Sequence, residues 1–122
     1  MDSKVFFVDD DEVTLFLYKR LAKKLDIDSE FCENGQVLLD ALESTNSGVI
    51  VLDINMPVLN GIEAVKELDK KGTLHQYTVL AMLGTSNMDT VKHQLEEFGI
   101  SNFIEKPLKE STLRLLLEQG VN

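Results

Sequence analysis

The run Gly48-Val49-Ile50-Val51-Leu52-Asp53, continued by Ile54-Asn55-Met56-Pro57-Val58-Leu59-Asn60-Gly61, decides the fold. A short β-branched run closed by an acid and then a Pro/Gly turn reads as a buried strand that delivers a carboxylate to a loop. The same construction stands near the N-terminus, where Val5-Phe6-Phe7-Val8 ends in Asp9-Asp10-Asp11-Glu12. Near the C-terminus Asn102-Phe103-Ile104-Glu105 runs into Lys106-Pro107. In a parallel sheet these three strand ends share one edge, so acids from two strands and a lysine from a third converge on a single site.

Working outward, the chain reads as a strand-then-helix unit repeated five times. Lys4 to Val8 forms the first strand, and the helix after it is expected to turn Val13, Phe16, Leu17, Leu21 and Leu25 inward. A weaker strand at Ile27 to Cys32 precedes Asn34-Gly35 and a helix with Val37, Leu38, Ala41 and Leu42 inward. Thr45-Asn46-Ser47-Gly48 is a turn cluster before the third strand. Asn60 is placed to cap a helix that uses Ile62, Val65 and Leu68 and stops near Gly72. Val79 to Leu83 is the fourth strand. Met88, Val91, Leu95 and Phe98 mark a fourth helix stopped at Gly99, and Leu108 to Glu118 forms the last helix. Parallel strands joined by right-handed crossover helices give a doubly wound α/β sheet with helices on both faces. Ligands in such folds bind beyond the carboxyl ends of the strands, where the strand order reverses. Asp9, Asp10, Asp53 and Lys106 all fall at that edge.

Composition narrows the class. The 122 residues, 43% of them apolar, are read as one domain spanning 1–122 with one core of ordinary size. Nothing approaches the ~18 consecutive apolar residues of a membrane span, and the start Met1-Asp2-Ser3-Lys4 does not resemble a signal peptide. Cys32 is the single cysteine, which excludes a disulfide framework or a thiolate zinc cluster and points to a reducing cytoplasm. Twelve basic against 21 acidic residues give a net charge of −9, which argues against direct nucleic-acid binding. His75 and His93 sit in polar surroundings and share no metal-ligand spacing.

The chemistry of the edge follows from its residue types. Three crowded carboxylates raise one another's pKa and favour a hard divalent cation with oxygen ligands, such as Mg²⁺. A lysine without thiol or histidine neighbours suits a phosphate oxygen as a point charge. Together they describe a phosphoryl-transfer site in which a carboxylate can itself attack to form an aspartyl phosphate. Each element alone has an ordinary reading. Asp9 to Glu12 could cap a helix, Asp53 could end a loop, Lys106-Pro107 could be a turn before a helix, and Phe103 could simply pack in the core. Their joint occurrence at one sheet edge favours the site.

The pattern Asp9-Asp10, then Asp53 with Asn55-Met56-Pro57 and Asn60-Gly61, then Lys106-Pro107, resembles the receiver domain of two-component response regulators, of the chemotaxis-regulator kind. The resemblance spans essentially the whole chain. It implies a flavodoxin-like three-layer sandwich with a five-stranded parallel sheet of order 2-1-3-4-5. It implies that Asp53 is the phosphoacceptor, Asp10 a direct Mg²⁺ ligand, Asp9 a ligand acting largely through water, and Asn55 a contributor of its backbone carbonyl to the metal. Lys106 matches the lysine that pairs with the phosphoryl group, and Phe103 the aromatic that swings inward on activation. Implied partners are a histidine kinase or histidine phosphotransfer protein as donor, and a protein target on the face of the fourth helix, fifth strand and last helix. The domain is then an acceptor and not an enzyme, apart from self-catalysed phosphotransfer and autodephosphorylation.

One element departs from that family. Receivers place Thr or Ser at the end of the fourth strand, where this chain reads Leu80-Ala81-Met82-Leu83-Gly84-Thr85-Ser86-Asn87. Counting back from Lys106 puts Gly84 at the hydroxyl position, whereas aligning Ser86-Asn87 puts Leu83 there. Neither has a hydroxyl, and Thr85 is the nearest substitute. Two other readings therefore stand beside the phosphorylation-operated switch. One is a pseudo-receiver whose phosphorylation is uncoupled from output. The other is a metal-dependent phosphohydrolase, for which Asn55 stands where a second acid is commonly needed.

Overall fold

The computed structural model describes residues 4–55, 59–84 and 88–118. In chain order the elements are β1 (Val5–Val8), α1 (Glu12–Lys24), β2 (Ser29–Cys32), α2 (Gly35–Leu42), β3 (Gly48–Asp53) and α3 (Gly61–Lys71). A single 3-10 turn at Leu74–Gln76 then leads to β4 (Tyr77–Leu83), α4 (Met88–Glu96), β5 (Asn102–Glu105) and α5 (Glu110–Glu118). The strands form one parallel sheet of order β2-β1-β3-β4-β5, as expected. The order reverses between β1 and β3, whose carboxyl ends carry Asp9 and Asp53.

Alternation along the strands builds two cores, one on each side of the sheet. Val5, Phe7, Val49, Val51, Leu80 and Met82 face one way and pack with Tyr18 and Ala22 of α1 and Leu113 of α5. Phe6, Val8, Ile50, Leu52, Ala81 and Leu83 face the other way and pack with α2, α3 and Leu95 of α4. β1, β3 and most of β4 are covered on both sides, which is why they read as continuous apolar runs. The helix starts carry local signals. The Asp11 side chain accepts from the Thr14 N–H at the start of α1, and Asn34 accepts from Val37 at the start of α2. Asn60 and Glu63 form a reciprocal capping box on α3, which ends at Gly72 with φ 76°, a left-handed conformation suited to glycine.

Two helical phases differ from the sequence expectation. On α1 the residues turned to the sheet are Leu15, Tyr18, Ala22 and Leu25, with Leu21 partly covered. Val13, Phe16 and Leu17 are 65, 57 and 54% exposed. The helix carries apolar residues on more than one side, and the sheet takes the stripe whose steps of three, four and three run through Tyr18, whose ring centroid lies 4.9 Å from that of Phe7 with the planes tilted by 31°. On α2 Val37 is exposed and Leu39 is buried in its place. Several boundaries also move: β4 begins at Tyr77, β2 is shorter than Ile27 to Cys32, α4 ends at Glu96 before Phe98, and α5 starts at Glu110.

Candidate functional site

The site is assembled at the carboxyl ends of β1, β3 and β5. Asp9 extends β1 by one residue, its N–H donating to the Cys32 carbonyl at 3.1 Å. Its side chain is then turned back, because Asp9 Oδ1 accepts the Asp11 N–H at 2.9 Å. That bond frees Asp11 to cap α1 and leaves Asp10 exposed at the rim. Asp53 is the last residue of β3 and only 2% exposed. Carboxylate oxygens of Asp9, Asp10 and Asp53 lie within 4.8 Å of one another.

From β5, Lys106 reaches back so that Nζ lies 2.7 Å from Asp53 Oδ1. The Asn55 N–H donates to the same oxygen at 3.3 Å. Among the described residues both protein partners of this carboxylate therefore fall on Oδ1, and Oδ2 is the oxygen left for another ligand. Burial pushes the Asp53 carboxyl above its ordinary range, and the Lys106 contact works against that shift. Asp9, 4% exposed, is also raised, first by burial and further by the charge of Asp53, with the Asp11 N–H opposing.

This donor set suits a hard cation. Three carboxylates, two of them buried and held above their usual pKa, meet at oxygen-only ligand spacing, and a divalent ion removes the repulsion that burial intensifies. The loop that shapes the site is pinned from behind by Gly61. Its N–H donates to the Ile54 carbonyl at 3.1 Å, and a Cβ on it would come within 2.8 Å of the Asp53 carbonyl oxygen and the Ile54 Cα. Gly61→Ala must therefore displace backbone at Asp53 itself. The expected result is a loss of about 1–3 kcal/mol in urea unfolding. Unchanged stability would show that the backbone at Asp53 and Ile54 yields freely.

The structure brings Asp9, Asp10, Asp53, Asn55 and Lys106 together around one cleft of about 470 Å³. Phe103 is not part of it; it lies half-buried on the α4 side of the sheet. Thr85 and the Met56-Pro57-Val58 turn lie outside the described residues. Gly84 follows β4, with nothing among the described residues within 4 Å of where its Cβ would be. The cleft also includes residues that sequence reasoning passed over: Thr14, Leu17, Tyr18 and Leu21 from α1, and Leu108 and Glu110 at the start of α5. For Tyr18 the phase of α1 was the missing signal, since the true inward stripe brings it beside the acids, where the expected stripe already placed Leu21.

The sequence matches the model of the response regulator receiver domain over residues 5–118. The chain belongs to this family. It is similar to the two-component response regulator 24 of Arabidopsis thaliana, 32% identical over 92% of this chain and 79% of that protein. It is also similar to the peroxide stress-activated histidine kinase mak3 of Schizosaccharomyces pombe, 29% identical over 98% of this chain but 5% of the kinase. The receiver thus spans only a small part of some relatives and most of others. Among solved structures, chemotaxis protein CheY4 of Vibrio cholerae superposes with a TM-score of 0.85, at 24% identity and full coverage of both chains, a likeness of fold. Receivers of this family belong to two-component systems, in response regulators and in hybrid histidine kinases. No helix among the described residues is long and apolar enough to cross a membrane.

Proposed function

We propose that residues 1–122 work as a single receiver domain that takes a phosphoryl group from a protein phosphohistidine onto Asp53. Mg²⁺ would be held by Asp9, Asp10, Asp53 and the backbone carbonyl of Asn55. The observation that carries the reading is the buried Asp53 carboxylate, 2.7 Å from the Lys106 ammonium and within 4.8 Å of two further acids. Asp53 Oδ2 attacks phosphorus, the imidazole N–P bond breaks with its electron pair returning to the ring nitrogen, and an O–P bond forms. A cation held there would supply positive charge to the phosphoryl oxygens, and the Lys106 ammonium, 2.7 Å from Asp53 Oδ1, would pair with one of them as it leaves the carboxylate. This is acceptor chemistry and not turnover of a substrate; Asn55 in place of a second acid argues against a phosphohydrolase.

The exposed side of α1 supports a protein as the donor. Leu17 lines the acid cleft, and Val13 and Phe16 continue the apolar surface away from it. A donor helix that presents phosphohistidine to Asp53 covers this strip as it does so. Output then comes by protein contact on the face of α4, β5 and α5, where β5 is an edge strand and Leu115 is exposed. The net charge of −9 speaks against direct nucleic-acid contact, and a reducing cytoplasm fits the buried free thiol of Cys32.

Incubation with phosphoramidate and Mg²⁺, read by intact mass, tests acceptance: a gain of one phosphoryl group is expected, and none would defeat the reading. The donor surface is tested separately. Phe16→Asp should slow transfer from a phosphorylated histidine phosphotransfer domain by about tenfold or more, the scale of losing one apolar anchor, while uptake from phosphoramidate is unchanged. Equal slowing with both donors would remove α1 as the docking strip.

A further inference from the structure

The two tyrosines of the chain are used differently. At the start of β4 the Tyr77 hydroxyl is tied to the Thr45 hydroxyl at 3.0 Å and donates to the Thr45 carbonyl at 3.1 Å. Tyr18, 6% exposed, lines the acid cleft, and its hydroxyl makes no hydrogen bond to a described residue. No side-chain oxygen among the described residues is sealed from solvent without a partner. The Tyr18 hydroxyl therefore opens into the cleft that it lines.

The fold aims that hydroxyl at the acids. Phe7 pairs with Val51 and both face α1. Asp9 and Asp53 stand two residues further on, so alternation turns them to the same side of the sheet. The helix α1 starts beside Asp9 and runs antiparallel to the strands, and helical side chains lean toward the start of their helix. Tyr18 thus leans toward the two acids, with its ring already fixed against Phe7 at 4.9 Å. Burial first, and then the charges of Asp9 and Asp53, hold the phenol above its ordinary pKa, so it stays a neutral O–H. Asp9 spends Oδ1 on the Asp11 N–H. Its Oδ2 has no partner among the described residues and, for the same reason as the hydroxyl, opens on the cleft.

We propose that Tyr18 is a positioning residue of the cation site, its hydroxyl and the free oxygen of Asp9 holding between them a water of the cation's shell. The inference rests on the cation site of the proposed function. A phenol suits this place because it both donates and accepts a hydrogen bond and carries no charge. A fourth carboxylate would add to the repulsion among Asp9, Asp10 and Asp53, and an apolar tip would leave the water short of a partner. Outer contacts of this kind hold a metal's ligands in orientation. They matter most for an ion that keeps its water, as Mg²⁺ does, and less for Ca²⁺, which takes more ligands directly from the protein. Tyr18 thereby tilts the site toward the smaller ion.

The test follows melting of the wild type and of Tyr18→Phe at neutral pH against Mg²⁺ and, separately, Ca²⁺, each series giving an apparent dissociation constant. Tyr18→Phe removes one oxygen and keeps the ring on Phe7, so metal-free melting should match the wild type. The Mg²⁺ constant should rise about tenfold, and the Ca²⁺ constant by a smaller factor. An unchanged Mg²⁺ constant overturns the proposal. An equal rise for both ions also overturns it, because the loss would then lie in the carboxylates and not in a held water. Lower metal-free melting with both constants unchanged would make the hydroxyl a structural group and overturn it as well. No Mg²⁺ shift in the wild type removes the cation site and the role of Tyr18 with it, an outcome distinct from a wild type that binds Mg²⁺ and a variant that binds it equally well.

Discussion

Asp53→Asn is expected to abolish the gain of one phosphoryl group that is expected of the wild-type chain with phosphoramidate and Mg²⁺. Asp53 is itself the last residue of a strand buried along its whole length. It alone has a lysine ammonium at 2.7 Å, and one of its oxygens remains open to an incoming group. Asp9 already spends an oxygen on the Asp11 N–H, and Asp10 is exposed at the rim, where water competes. An amide in place of the carboxylate keeps the volume and loses the nucleophilic charge. The variant should still fold, because the group left without its partner is Lys106, 38% exposed and open to solvation. Intact mass reads the result directly. Undiminished labelling in Asp53→Asn, traced by fragmentation to another acid, would reassign the acceptor.

Removal of divalent metal is expected to stop phosphoryl uptake altogether and to lower stability. At ten times its dissociation constant, Mg²⁺ stabilises the folded chain by about 1.4 kcal/mol, a shift of about 4–8 °C in melting for a domain near this size. The pH dependence follows from Asp9 and Asp53, both raised chiefly by burial. A carboxyl whose folded pKa lies above its unfolded value favours the folded state most at low pH. That contribution is lost as pH rises through the folded pKa, when the charge must be buried. The metal-free protein therefore carries this penalty near neutral pH and less of it in acid. The Mg²⁺ increment in melting temperature should be larger at neutral pH than in mild acid, and Asp10→Asn should shrink it more than Asp9→Asn. An increment of zero at neutral pH would count against the cation site.

The local part of this molecule was legible because its signals are local. Asn60 with Glu63 three residues on is a cap that needs no distant partner, and Gly72 ends its helix through its own backbone freedom. The acids and the lysine announced themselves by following apolar runs, since a strand covered on both faces must be apolar until the point where it meets water. What a helix wheel could not supply was the side of α1 that meets the sheet. Val13, Phe16 and Leu17 are as apolar as Leu15, Ala22 and Leu25, and the choice between the two stripes is made by Tyr18 packing against Phe7, which itself stacks on Phe31.

From its own residues the sequence determined that strands alternate with helices, that the order implies a doubly wound sheet, and that Asp9, Asp10, Asp53 and Lys106 share an edge. Only the tertiary structure decided that Lys106 pairs with Asp53, that Leu17 stays exposed while lining the acid cleft, and that Asp53 stands level with Met82 across β3 and β4. Whether a side chain lands on one face or the other depends on the register between strands some 30 residues apart. A slip of one residue reverses every face, and that register is set by packing across the sheet, where no short window of sequence can read it.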